Sequence, residues 1–167
     1  LPTIEEDDFL AAVELLVRTD HEWIPTADGA SLYLRPFMMG TEVGLGVRPS
    51  ADALFSVLAL PSGNYFAGGI RPLKLWLAED SSRAAPGGTG EAKCAGNYAA
   101  SLVAQQAAIA RGCDQVVFLD AVERRWVEEL GGMNLFFVYA DGRIATPALS
   151  GTILRGVTRT SIITLAR

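Results

Sequence analysis

The chain has 167 residues, half of them apolar, which is enough to bury a core in one or two domains. A formal net charge of −5 argues against a nucleic-acid partner, whose phosphates call for clustered basic faces. The two cysteines, Cys94 and Cys113, are too few for a disulfide framework, no His or Cys stands at metal-ligand spacing around them, and no stretch reaches the ~18 apolar residues of a membrane span. The expectation is a cytoplasmic protein with free thiols, no metal, no nucleic acid and no membrane partner, since no basic-then-apolar leader opens the sequence. It begins at Leu1 and ends inside an apolar run at Leu165-Ala166-Arg167, so a central fragment of a longer protein is expected.

In chain order, Thr3-Ile4-Glu5-Glu6 has the form of a capping box, and Phe9, Leu10, Val13, Leu16 and Val17 recur at helical spacing, which predicts a helix over 4–19. Asp28-Gly29 marks a turn. Ser31-Leu32-Tyr33-Leu34-Arg35-Pro36 reads as a strand that puts Tyr33 and Arg35 on one face, either a solvated edge or a pocket wall that recognises a carboxylate. Gly44 to Val47 is a loop, and the apolar run 53–60 predicts a buried strand closed by Pro61-Ser62-Gly63. A strand over 73–77 gives Lys74 an outward position. Between Glu79 and Gly90 the composition shifts to Asp, Ser, Ala, Pro and Gly, which suggests an interdomain connection.

Lys93 follows that segment, and it is one of two lysines among 14 basic side chains. A partly desolvated lysine amine is a nucleophile toward aldehydes, and small neighbours such as Ala92, Ala95 and Gly96 leave room for a planar ring. The plainer reading is a surface lysine beside a glycine-rich loop. An Ala-rich helix runs from Tyr98 to a terminal Gly112, with Asn97 as its expected N-cap. Strands are predicted over 115–119 and 135–139, with a hairpin turn at Ala140-Asp141-Gly142. Between them, Glu128 and Glu129 precede the turn Gly131-Gly132. Adjacent acids form either a solvated face or a carboxylate beneath a cofactor, paired with a protonated ring nitrogen. Gly151 to Arg159 opens a last helix, whose N-terminus suits a phosphate, although ordinary capping explains it as well.

Lys93-Cys94-Ala95-Gly96-Asn97-Tyr98, then Glu129-Leu130-Gly131-Gly132-Met133-Asn134-Leu135-Phe136, then Leu154-Arg155-Gly156-Val157-Thr158-Arg159, in this order and spacing, resemble the branched-chain amino acid aminotransferases. These belong to the fold type IV group of pyridoxal-phosphate enzymes. The resemblance extends to the strand Ser31–Pro36 and to Gly112–Val117, and implies an α/β (mixed α+β) fold. It makes 1–78 the end of a small domain, 79–90 the linker and 91–167 the first part of a large, cofactor-binding domain.

The resemblance further implies pyridoxal 5'-phosphate as cofactor, held as a Schiff base by Lys93, which is also the catalytic base. Tyr98 would bond the phenolic oxygen, Glu129 would keep the pyridine nitrogen protonated, Leu154 would pack on the ring, and Gly156, Val157 and Thr158 would bind the phosphate. Tyr33 and Arg35 would line the substrate pocket, while Leu45 and Val47 would reach into that of a neighbouring subunit, which implies a homodimer. The implied reaction moves an amino group between leucine, isoleucine or valine and 2-oxoglutarate, that is, between amino acids and 2-oxo acids. Ala95 stands where the family usually has Gly, and Arg155 where it usually has Pro. Arg155 resembles the D-amino-acid aminotransferases, which with aminodeoxychorismate lyase are the alternatives of the same fold; a non-catalytic fragment is the alternative of another class. The family's N-terminal phosphate-binding arginine and C-terminal Gly-Thr-Ala segment are not among these residues, so the chain alone is expected to be weak or inactive.

Overall fold

The computed structural model describes residues 1–63 and 70–167. They group into two compact units, Leu1–Arg71 and Pro72–Arg167, each a mixture of helix and strand. Among the described residues no helix is long and apolar enough to cross a membrane.

In the first unit, helix α1 (Glu6–Thr19) packs on a two-stranded antiparallel sheet of β1 (Ser31–Gly40) and β2 (Ala53–Ser62). The helix carries Glu6, Asp7 and Asp8 in its first turn and Arg18 in its last, charges that complement its dipole. The expected capping box does not form: Glu5 is the N-cap, without a side-chain cap, and Thr3 lies too far upstream. The rings of Phe9 and Phe55 meet at 5.9 Å between centroids, joining helix to sheet. The sequence-expected strand end at Pro36 is passed, and β1 continues to Gly40. In a two-stranded sheet each strand has an open edge, where a residue lacking N–H forfeits no ladder bond.

Register places Tyr33 opposite Leu60, Arg35 opposite Leu58 and Met39 opposite Leu54, so these six side chains share one face, and all are exposed. Tyr33 and Arg35 do share a face, with the guanidinium carbon 5.0 Å from the ring centroid. The loop between the strands is closed by Glu42, which pairs with Arg48 and accepts the Ala51 N–H at 2.8 Å. Its pKa lies below the ordinary carboxylate value, first because of Arg48 and then because of Ala51. Leu45 and Val47 on this loop are fully exposed.

The second unit is built on a three-stranded sheet of order β3 (Leu75–Ala78), β4 (Gln115–Leu119), β5 (Val127–Leu130). β3 and β4 are parallel, so the chain must cross over between them, and helix α2 (Ala95–Ala110) lies in that connection. Ala104 and Ala108, one helical turn apart, let the helix approach closely and bury Ala78, Val116 and Phe118. α2 stops where Gly112 takes a positive φ of 73°, and Cys113 N–H bonds back to Ala108 O at 2.9 Å. A small hairpin of β6 (Phe137–Val138) and β7 (Ile144–Ala145) turns through Gly142, and helix α3 (Val157–Leu165) ends the unit.

Several elements differ from expectation. α2 begins at Ala95 with Cys94 as N-cap, so Asn97 lies inside the helix, where its amide serves other partners. β5 was not expected, because two adjacent acids do not read as a buried strand. α3 starts at Val157, with Gly156 rather than Gly151 at its N-cap, and the bent segment before it is tied to β5 through Thr152 and Leu154. Residues 79–90, expected from composition to connect domains, fall within the second unit and contain the buried Arg83.

The β4–β5 connection hangs on Asp120. Its carboxylate accepts four backbone N–H bonds, from Val122, Glu123, Arg125 and Trp126 at 2.6–3.2 Å, which hold its pKa down at about 2. A depressed acid stabilises the fold above its ordinary value of 3.8, and that contribution disappears as the pH falls toward 2. In urea unfolding followed from pH 5 to pH 2, the midpoint should drop with acid, whereas Asp120→Asn should start lower and change less. Parallel curves for the two proteins would contradict the assignment.

Candidate functional site

Lys93 sits on the turn that enters α2, and a buried asparagine fixes that turn. Asn97 donates to Thr89 O at 2.7 Å and Ala92 O at 2.8 Å, and its Oδ1 accepts the Thr89 hydroxyl at 2.8 Å. All three bonds reach back over the glycine-rich stretch, so the chain just before Lys93 has one route. Gly90 is required there: a Cβ would run into Thr152 O and the Ala84 side chain. The Lys93 ammonium lies 5.5 Å from the centroid of the Tyr98 ring, which stands in the first turn of α2. Lys93 itself is exposed, so the desolvation expected of a nucleophilic amine is not supplied by this unit.

Facing them is a buried ion pair. Arg83 meets Glu129 on β5 at 2.6 Å, with side-chain exposures of 6% and 4%. The same guanidinium donates to Gly90 O at 2.9 Å and to Thr152 O, tying the lysine turn and the segment before α3 to the acid. Glu129 also accepts Leu154 N–H at 3.2 Å and Asn134 Nδ2 at 2.8 Å. Burial pushes its pKa above the ordinary value; Arg83 and these donors oppose the rise, while neighbouring Glu128 adds to it. Glu128 is buried too. Its Oε1 accepts the Thr152 hydroxyl, and its Oε2 has no partner.

Four of the residues singled out in the sequence therefore line one pocket: Lys93, Tyr98, Glu129 and Leu154, joined by Arg83, Asn97 and the glycines 131 and 132. The enclosed space is about 10 Å³, roughly one water. Gly156, Val157 and Thr158 do not line this pocket; they form the start of α3, two residues beyond Leu154. Tyr33, Arg35, Leu45 and Val47 belong to the first unit and are placed by its own hairpin. A second cavity of about 600 Å³, lined by Trp126, Glu128, Phe137, Tyr139 and Ile153 among others, does not include Lys93. Among the described residues no cluster of His, Cys, Asp and Glu is arranged to hold a metal ion.

The donor set suits a phosphorylated aromatic aldehyde. There is an amine for the carbonyl, a phenol beside it, and a carboxylate with lone-pair capacity left for one more donor. Backbone N–H groups at the start of a helix suit the phosphate. Sequence reasoning missed Arg83, Asn134 and the clamping use of Asn97. A lone arginine in a Gly/Ala/Pro-rich stretch was the available signal for Arg83, since a surface linker gives no reason for one.

This is the chemistry of a class of aminotransferases, and the comparisons place the chain there. Residues 1–167 match the family described as amino-transferase class IV, and the chain belongs to that family. It is 58% identical over 168 residues to a protein of Streptomyces coelicolor named "Probable branched-chain-amino-acid aminotransferase", covering 100% of this chain and 46% of that one. Among solved structures, the branched-chain amino acid aminotransferase of Escherichia coli superposes with a TM-score of 0.80 at 31% identity, over 99% of this chain and 53% of that one. A T.th. branched-chain amino acid aminotransferase, solved with pyridoxamine 5'-phosphate, gives a TM-score of 0.79 at 31% identity, over 98% of this chain and 51% of that one. The chain thus spans about half the length of the relatives it matches, and the mixed α and β architecture expected from sequence is theirs.

Arg83 is the arginine on which these segments converge. Replacing it by Met leaves Glu129 buried without its counter-charge, which should lower unfolding stability by about 3–5 kcal/mol, with part recovered in Arg83→Met/Glu129→Gln. A loss below about 1 kcal/mol in urea titrations would mean that the pair behaves as a solvated surface bridge.

Proposed function

We propose that this chain is the cofactor-anchoring part of a branched-chain amino acid aminotransferase, a cytoplasmic homodimer that uses pyridoxal 5'-phosphate. It would exchange amino groups between leucine, isoleucine or valine and 2-oxoglutarate. The observation that carries the reading is the convergence of Lys93, Tyr98, Glu129 and Leu154 on one pocket, from three separate stretches of sequence. The names of the relatives at 58% and 31% identity support the substrate class, and the pyridoxamine 5'-phosphate in one related structure supports the cofactor.

When bound, the cofactor supplies an aromatic ring that accepts the electron pair released at the substrate's α-carbon. The chain's own residues do the rest. Lys93 holds the carbonyl end, and its amine, once free, carries the proton from the α-carbon and returns one on the other side of the exchange. Tyr98 donates to the ring's phenolic oxygen. Glu129, kept in place by Arg83, accepts a hydrogen bond from the ring nitrogen and so favours its protonated form. Leu154 covers the ring, and Gly156, Val157 and Thr158 offer N–H groups and a hydroxyl to the phosphate at the start of α3. For the substrate, Tyr33 and Arg35 are the proposed recognising pair, and Leu45 and Val47, fully exposed on their loop, the proposed contribution to a partner subunit. The free thiols Cys94 and Cys113 suit a reducing compartment.

Borohydride reduction of the chain mixed with pyridoxal phosphate, followed by peptide mass mapping, reads which lysine the aldehyde engages. Lys93 should carry the label and Lys74 should not, and Lys93→Ala should abolish it. Equal labelling of both lysines, or none, would contradict the proposal.

A further inference from the structure

Asn134 follows the glycine turn that ends β5, and its carboxamide is committed on both sides. Its nitrogen donates to Glu129 Oε2 at 2.8 Å and to Leu154 O at 3.0 Å, which uses both amide hydrogens. Leu154 N–H returns a bond to Glu129 Oε1 at 3.2 Å, so acid, amide and turn close a ring. Gly156 N–H donates to the same Leu154 carbonyl at 2.8 Å, and Gly156 is the N-cap of α3. The amide oxygen lies where a Cβ on Gly156 would stand, so glycine is what lets Asn134 pass.

A residue that only filled space would not need both amide hydrogens and a bare glycine opposite. Arg83 already neutralises Glu129 and holds one oxygen; Asn134 fixes the other and thereby the plane of the carboxylate. The same amide holds the turn from which α3 departs.

We propose that Asn134 is a positioning residue that couples Glu129 to the Leu154–Gly156 turn, setting the carboxylate and the start of α3 in register. In the cofactor reading above, on which its functional meaning rests, these are the ring-nitrogen end and the phosphate end of one ligand. Asn134 touches neither. It fixes the spacing between the groups that do.

The test follows the side-chain carboxyl resonance of Glu129 by NMR in the isotopically labelled 167-residue chain, without cofactor. The charged and titratable groups around that carboxylate are Arg83, Glu128, Lys93 and Tyr98, and none is altered in the variants. Asn134→Ala removes a donor to the ionised form and should raise the Glu129 midpoint by about one pH unit. Asn134→Asp adds a like charge and should raise it further. Gly156→Ala is the decisive variant: Gly156 makes no bond to Glu129, yet its new Cβ displaces Asn134 and should move the midpoint in the same direction. Amide exchange at Leu154 and Gly156 should quicken by about tenfold in Asn134→Ala.

An unmoved Glu129 midpoint in folded Gly156→Ala overturns the coupling, whether or not Asn134→Ala folds. Borohydride labelling of Lys93 on the unaltered chain judges the cofactor separately. Unlabelled Lys93 with a shifted Glu129 keeps the coupling and removes the cofactor, and labelled Lys93 with an unmoved Glu129 does the reverse.

Discussion

The site depends on one buried ion pair. Moving a carboxylate out of water is costly, and Glu129 sits on a strand buried along most of its length. Arg83 makes that placement tolerable by coming within 2.6 Å, and the same terminal nitrogen also reaches the backbone carbonyls of Gly90 and Thr152, while its buried Nε has no partner. A single guanidinium therefore fixes the relative positions of the lysine turn, the acid and the segment before α3.

Around this pair the fold does conventional work. The parallel pairing of β3 with β4 requires a long connection, and α2 fills it with its first turn beside the pocket. Small residues make the approach close: Ala104 and Ala108 on the core face, and Gly90 where the backbone passes Thr152. Two asparagines satisfy backbone and carboxylate acceptors around the pocket. Asn97 holds the chain before Lys93, and Asn134 holds the chain before α3. Neither chain segment has regular secondary structure of its own to hold it.

Much of this was legible in the sequence, for identifiable reasons. Periodicity gave α1 and β1, and the Ala-rich run with a terminal glycine gave α2; the apolar run 53–60 gave β2, although that strand was expected to be buried and none of its residues is. The grouping of Lys93, Tyr98, Glu129 and Leu154 came from the resemblance of three ordered motifs to a known family. What failed was local reasoning about polar residues. For Glu128 and Glu129 the sequence left a solvated face and a carboxylate beneath a cofactor both open, and the burial of Glu129 rests on a partner far along the chain, Arg83. Asn97 looked like a cap because its side chain is short and polar, but its acceptors lie upstream, in a loop whose path no propensity predicts. The stretch 79–90 is rich in Gly, Pro and Ser, as linkers are. The same composition also serves a chain that must pass close to another backbone.

The central claim is that Lys93 and Glu129 serve two ends of one ring, with Arg83 holding the acid. A crystal structure of the chain after borohydride fixation of pyridoxal phosphate tests it most directly. The account predicts a pyridoxyl group on Lys93 with its ring nitrogen within hydrogen-bond distance of Glu129, and the Arg83–Glu129 pair intact. A ring turned away from Glu129, or an acid released from Arg83 on binding, would contradict it.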